Sequence, residues 1–312
     1  MDINRTSGER VSASQRDFVT AQSNQATVRK PWKSLAAVAM GVLLSVPGLT
    51  QAQYRFTPIN VPGAIATDAN GNSTHEIVGG FDDASGTHGF VLNKDVFTTI
   101  NVPGAKITFL NGINARGQLT GTYTDAGGTD HAFFENNGYF TPLDPPGATR
   151  SQGGFINAQG QVVGTYRDTN NIPHGFIWRN GTFTTFFDVP NALRTVAFGI
   201  NDIGEVVGDY LDNNGLHGFL RSSKGDFKTF DVFGANATVA EGINNAGTIV
   251  GVYRLPDNTL HGFVSNNGVV FTTVDVNSQQ TEINSINSKG EIVGFYIDSS
   301  EVDHGFLGVP IR

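Results

Sequence analysis

The sequence predicts an all-β fold built from six copies of one four-stranded unit. Three observations predict it. His-Gly-Phe starts at His88, His174, His217, His261 and His304, with His131-Ala132-Phe133 as a variant, so successive copies are 43, 43, 43, 44 and 43 residues apart. Four strand-like runs fit inside each copy. The 312-residue chain also holds 39 Gly, 12 Pro and 23 Phe with only 15% charged residues, which suits short strands and tight turns rather than helices. Four strands at this period read as the blades of a β-propeller. An open β-solenoid is the alternative, but its coils are usually shorter and need caps, and no cap is visible in the sequence.

The elements follow in chain order. Arg29-Lys30-Pro31-Trp32-Lys33 is a short basic segment, and Leu35 to Val46 is apolar. Pro47-Gly48 and then Thr50-Gln51-Ala52 follow, with small residues at the −3 and −1 positions of a cleavage site. This is the layout of a secretory signal peptide. The apolar run falls short of the roughly 20 residues that span a bilayer. Residues 1–52 are therefore expected to be a leader and signal peptide that is removed, and 53–312 the six-repeat propeller. The true start is expected near Val28; N-terminal sequencing of the unprocessed form that returned Asn4 or Arg10 would overturn this.

Copy two shows the pattern. Phe97 to Val102 is an alternating β-branched run, and Pro103-Gly104-Ala105 turns the chain. A second run covers Thr108 to Ile113. Asn114-Ala115-Arg116-Gly117 is a turn: Asn can bond its own backbone, and Gly supplies the positive φ. The same Asn-x-x-Gly recurs at 157–160, 201–204, 244–247 and 287–290. The third run is Leu119 to Tyr123, matched by Val162–Tyr166, Val206–Tyr210, Ile249–Tyr253 and Ile292–Tyr296. Its mid-strand Gly is expected to let a neighbouring blade approach closely. A loop opened by Asp83, Asp125, Asp168, Asp212 or Asp298 leads to the fourth run at His-Gly-Phe. Hairpins such as Asn180-Gly181 and Asn267-Gly268 return the chain.

The array opens with an orphan run, Phe56 to Val61, and stops after His304-Gly305-Phe306 with the matching run missing. The N-terminal strand of the mature chain is expected to complete the last blade and close the ring, leaving no open sheet edge there. The orphan run is then outermost, and Thr108–Ile113 and its equivalents line the channel. Alternating strand direction puts the Pro-Gly-Ala turns and the Asp-to-His loops on one face. That face carries the longer, more variable loops, so binding is expected there. Repeat-breaking positions on the inner strands are the binding candidates: Asn111, Gln152, Arg194, Glu241 and Glu282.

His88, His131, His174, His217, His261 and His304 spread around a ring rather than gathering at a point. They are read as structural, each bonded to the loop Asp of its own hairpin or to a backbone carbonyl. The Tyr and Phe positions are read as core. His75 lies outside the register and is read as a surface residue. Asp212-Asn213-Asn214-Gly215 and Asp125 to Asp130 hold oxygen ligands of the kind Ca²⁺ takes, but neither matches a full calcium loop. No cofactor is expected.

The chain has no Cys, which excludes disulfide and thiolate chemistry. Its net charge is −8. Residues 1–52 carry six Lys/Arg and three Asp/Glu, so the rest has 14 basic and 25 acidic residues. An acidic surface does not attract nucleic acid or anionic lipid. Gly-x-Ser-x-Gly, His-Glu-x-x-His and phosphate-cradling motifs are absent.

The repeated Gly-Ile-Asn-x-x-Gly-x-Ile/Val-Val-Gly-x-Tyr followed by His-Gly/Ala-Phe resembles the HAF repeat family of extracellular bacterial proteins. The resemblance covers residues 54–308. Copy one departs from it, with Gly71 in place of the Ile and His75 in place of the turn Gly. Copy five has Leu255 where the loop Asp is expected. The resemblance implies export and a repeat-built β fold; it brings no activity and no catalytic residue.

The expectation is a secreted, non-catalytic binding module, monomeric and without a membrane span after signal cleavage, whose loop face recognises a polysaccharide, glycoconjugate or cell-surface partner. Retention in the periplasm is equally compatible with the signal. The alternatives are a protein-interaction scaffold and an extracellular lyase, hydrolase or lactonase with its site at the channel mouth.

Overall fold

The computed structural model describes residues 50–51, 54–277 and 280–311, and every regular element among them is a β-strand. The expected leader, its apolar run and the start near Val28 lie outside the described residues, apart from Thr50–Gln51.

The chain opens with β1 (Thr50–Gln51) and β2 (Tyr54–Ile59). The His88 unit follows as β3 (Ala66–Asn72), β4 (Glu76–Asp83), β5 (Gly86–Asn93) and β6 (Val96–Ile100). The His131 unit is β7 (Ile107–Ile113), β8 (Leu119–Thr124), β9 (Asp130–Asn136) and β10 (Tyr139–Pro142). The His174 unit is β11 (Arg150–Ile156), β12 (Gln161–Arg167), β13 (Pro173–Arg179) and β14 (Thr182–Phe187). The His217 unit is β15 (Arg194–Ile200), β16 (Val206–Leu211), β17 (Leu216–Arg221) and β18 (Phe227–Phe230). The His261 unit is β19 (Ala237–Ile243), β20 (Thr248–Arg254), β21 (Leu260–Asn266) and β22 (Val270–Val274). The His304 unit has β23 (Gln280–Ile286), β24 (Ile292–Ile297) and β25 (Asp303–Pro310). Its fourth strand is β2, antiparallel to β25 from Tyr54 opposite Pro310 to Ile59 opposite Gly305. β1 lies parallel to β22, Thr50 opposite Thr272.

Within each unit the strands pair antiparallel in chain order. The first strands touch one another in succession, β3, β7, β11, β15, β19 and β23, and β23 in turn touches β3. They are therefore the inner strands. β19 is buried along its whole length, whereas the outer strand β10 is largely exposed.

Two devices join neighbouring units. One is apolar. The Phe of each His-x-Phe motif (Phe90, Phe133, Phe176, Phe219, Phe263, Phe306) is fully buried. Phe219 packs with Ile200 and Val206 of its own unit and with Val163 and Ile177 of the preceding one. Burying a Phe side chain is worth about 1.5–3 kcal/mol, so each unit gains a contribution of that order from its own Phe. The other device is polar. The turn Asn accepts two backbone N–H bonds at its own Oδ1, as Asn244 does from Ala246 (3.0 Å) and Thr248 (3.0 Å). Its Nδ2 then donates across to the next unit: Asn114 to the Asn157 carbonyl, Asn157 to Asn201, Asn201 to Asn244 and Asn244 to Asn287, at 3.0–3.2 Å. Asn287 donates to the Ser73 carbonyl at 3.0 Å. The turn Gly has positive φ each time, 76° at Gly247. The departing first turn is held differently: Ser73 Oγ accepts from Glu76 N at 3.0 Å, and Asn72 Nδ2 donates to the Glu291 carbonyl at 2.9 Å.

The mid-strand Gly does not serve the purpose expected from the sequence. A Cβ at Gly208 would lie 2.0 Å from the Val196 carbonyl oxygen, on the inner strand of the same unit. The cause is a bulge: the β15–β16 register shifts between Ala197 and Gly199, and this turns the inner strand over its partner. The Gly that admits the neighbouring unit is on the inner strand itself. A Cβ at Gly199 would lie 2.7 Å from the Glu241 carbonyl of the next unit.

Candidate functional site: the turn face

The turns that enter the inner strands are type II in form. Ala64 N bonds the Val61 carbonyl, and the same bond recurs at Ala105/Val102, Ala148/Pro145, Ala192/Val189 and Ala235/Val232, at 3.0–3.1 Å. The third position has positive φ: 83° at Gly63, 80° at Gly104, 82° at Gly147, 66° at Asn191 and 82° at Gly234. The inner-strand hydroxyl caps the turn, as Thr238 Oγ1 accepts from Val232 N at 3.0 Å.

Each repeat His ties the residue that leads toward the next inner strand to the Asp loop, so both lie on one face. His217 Nε2 is 3.2 Å from Asp212 and its Nδ1 is 2.9 Å from Asp231. His131 sits between Asp125 (3.4 Å) and Asp144 (2.9 Å), and His174 between Asp168 (3.7 Å) and Asp188 (2.9 Å). His304 lies between Asp298 (3.1 Å) and Asn60 (3.3 Å). In the His88 unit Ser85 Oγ stands at Nε2 (2.9 Å), with Asp83 at 3.4 Å and Asn101 at Nδ1. Leu255 replaces the loop Asp of the His261 unit, and Asp257 takes over two residues later. It accepts from Thr259, whose Oγ1 is 2.9 Å from His261 Nε2, while Asp275 holds Nδ1 at 2.9 Å. Each ring also packs on an aromatic neighbour, as His217 does on Tyr210 with centroids 5.2 Å apart.

The acceptors before the turns (Asn60, Asn101, Asp144, Asp188, Asp231, Asp275) were not singled out in the sequence. Their signal was the Asp/Asn recurring 13–14 residues after five of the six His, with Asn60 of the orphan N-terminal run standing in for His304. The loop carboxylates are held below the ordinary carboxylate range. For Asp212 the largest cause is the backbone N–H of Asn214; for Asp125 it is that of Thr129. These bonds show what the two calcium-like loops do with their Asp side chains: they close turns. Among the described residues no three His, Asp or Glu converge as a metal set.

The five inner-strand candidates are spread over five successive strands. Asn111 donates to the Gly153 carbonyl of the next unit at 2.6 Å. Gln152 is half-buried on β11. Arg194 Nη1 is 3.4 Å from the fully buried Asp209. Glu241 and Glu282 are 6% and 3% exposed. Asp68 has an Oδ1 sealed from solvent, although the residue as a whole is half-buried. Burial first, then Asp303, Glu282 and Asp82, push its carboxyl well above the usual range. His75 is exposed.

The turn face also carries apolar tips: Ile65, Ile172, Leu193 and Phe233. Phe233 is 83% exposed and breaks the repeat. The equivalent residues are Pro62, Pro103, Pro146 and Pro190 in four of the other units and Asn277 in the fifth.

No family model and no curated protein matches the chain. Among solved structures, the SapL1 lectin in complex with alpha methyl fucoside superposes with TM-score 0.52 at 10% identity, over 80% of this chain and 94% of that one. A triple arginine-to-alanine mutant of AofleA from Arthrobotrys oligospora gives 0.52 at 13% identity, over 86% and 89%. The chain has the β-propeller fold. A streptogramin B lyase structure is also similar, with TM-score 0.49 at 11% identity over 81% of this chain and 97% of that one. At these identities the likeness speaks for the propeller architecture alone. The His-linked loops and turns lie on one face of this fold.

Proposed function

We propose that this propeller has six blades, that β2 completes the last of them, and that the chain is a monomeric exported protein of the HAF repeat type. Its role is recognition of a polysaccharide or glycoconjugate through the turn face, without catalysis. One observation carries the reading. Every His-linked turn presents a carboxylate or amide acceptor at the same place, and several stay open to solvent: the side chains of Asp144, Asp188 and Asp231 are 40%, 49% and 51% exposed. Acceptors spaced once per blade suit a repeating polymer of hydroxyl groups, and several modest sites on one rigid face gain avidity. That SapL1 takes alpha methyl fucoside on a comparable fold is consistent with this reading.

The test is a glycan and polysaccharide binding screen of the purified protein, with Ca²⁺ and with EDTA, followed by mass spectrometry for released products. Binding without product is expected. Product release would move the reading to an extracellular lyase or hydrolase. Silence across the screen would move it to a protein-interaction scaffold.

A further inference from the structure

We propose that Phe233 is the platform of one dominant carbohydrate subsite, which takes a neutral hexopyranose or deoxyhexopyranose by its apolar C–H face. The inference rests on the glycan reading above and assigns it to one place.

The argument begins with turn chemistry. The second position of a type II turn favours Pro, whose ring presets φ. Pro62, Pro103, Pro146 and Pro190 follow that rule. Phe233 occupies the same position, before Gly234 at φ 82° and inside the same Val232-to-Ala235 bond of 3.1 Å. The turn gains nothing from the substitution and loses the preset φ. The ring does not repay this by burial, since the residue is 83% exposed. A local rule broken without a structural return marks a position held for another reason.

The surroundings indicate the ligand. Among the described residues three aromatic side chains are exposed: Tyr139, Phe186 and Phe233. Tyr139 and Phe186 lie on the outer strands β10 and β14, and Phe233 alone is on the turn face. Groups that bond hydroxyls lie near it along the chain and on the adjoining loop. Asp231 lies two residues before it with its side chain half exposed. Asn236 is exposed three residues after, its Oδ1 accepting from Arg254 Nε at 3.2 Å. The loop of the preceding blade adjoins the same turn: a Cβ at Gly215 would lie 3.8 Å from the Asn236 carbonyl. Asn213 and Asn214 are exposed at the tip of that loop.

A single aromatic face inside a polar rim matches a sugar ring, with one apolar face and hydroxyls around its edge.

The experiment compares wild type, Phe233→Pro, Phe233→Ala and Tyr139→Ala on an array of immobilised fucosylated, galactosylated and mannosylated glycans. Thermal melts are run in parallel. Phe233→Pro restores the repeat and is expected to melt no lower than wild type, so loss of binding in it is not loss of fold. The expected result is at least a tenfold weaker apparent affinity for both Phe233 variants and none for Tyr139→Ala. Equal binding by wild type and both Phe233 variants overturns the subsite while leaving the glycan reading intact. Equal losses in Tyr139→Ala and the Phe233 variants also overturn it. A wild type that binds no glycan overturns both readings. Adsorption to a protein partner that depends on Phe233 would then replace them with protein docking.

Discussion

The side-chain amide of Asn244 donates to the backbone carbonyl of Asn287, 3.2 Å away and 43 residues further on. The same Asn244 accepts from Ala246 and Thr248 within its own turn. One buried side chain thus shapes a turn and fastens two blades. Asn244→Ala removes the acceptor of two backbone N–H groups and one of two donors to the Asn287 carbonyl, which keeps Gly290 N, and an unmade buried bond costs on the order of 1–3 kcal/mol. Urea unfolding should show a loss of at least about 2 kcal/mol. A loss within the scatter of surface variants would mean water replaces the amide.

Gly208 should not tolerate a side chain. Its Cβ would meet the Val196 carbonyl at 2.0 Å, and neither backbone can yield without breaking the bulge. Gly208→Ala is expected to cost at least about 1–3 kcal/mol, the usual penalty of overpacking, and to lower the melting temperature. Gly234→Ala, at a tip with nothing within 4 Å but φ 82°, should cost less. The ranking of these two variants by calorimetry checks the assignment.

His261 gives a pH dependence of definite sign. Its bond to Asp275 raises the imidazole pKa, burial opposes this, and the charges of Asp275 and Asp257 add to the rise. The native state therefore holds the proton more tightly than the unfolded chain. This stabilisation is complete below the ordinary imidazole range and is lost as pH rises through the native pKa. The gap in melting temperature between wild type and His261→Gln should shrink over that interval. An NMR titration placing the His261 pKa at or below the ordinary value would refute it.

Asp68 gives a dependence of the same sign, but in a more acidic interval that starts at the ordinary Asp value. Burial and the neighbouring Asp303, Glu282 and Asp82 keep its carboxyl protonated above the usual carboxylate range. The unfolded chain ionises first, so stability is lost as pH rises from the ordinary Asp value through the raised native one. Asp68→Asn should flatten this part of the stability profile and leave neutral-pH stability equal or higher. A variant less stable than wild type at pH 7 would show that the charged form is favoured instead.

The strands, the turns and the blade period were legible in the sequence because each is written locally. Alternation, Asn-x-x-Gly and His-Gly-Phe all act within a few residues. The partners of the histidines were half legible. Asp212 is five residues from His217 and was visible, whereas Asp231 is fourteen away on the far side of a hairpin and was not. The duty of the mid-strand Gly was misread for the same reason: the bulge at Ala197–Gly199 is a pairing event between strands, and no single strand encodes it. Phe233 was legible in principle. Aligning the turns shows it where Pro belongs, but its exposure needed the structure.

The pairing of β2 with β25 also has a consequence in time. Tyr54 is made before, and its partner Pro310 after, almost the whole array. Contacts of such separation form late. Throughout synthesis β2 is an unmated strand, exposed to any other nascent chain that offers an edge. Pro58, inside that strand, removes one donor and interrupts the ladder a wrong partner would need. The native ladder accommodates it, since Pro58 stands opposite Phe306 in the completed pair. β2 is thus a poor template for strangers while it waits for β25.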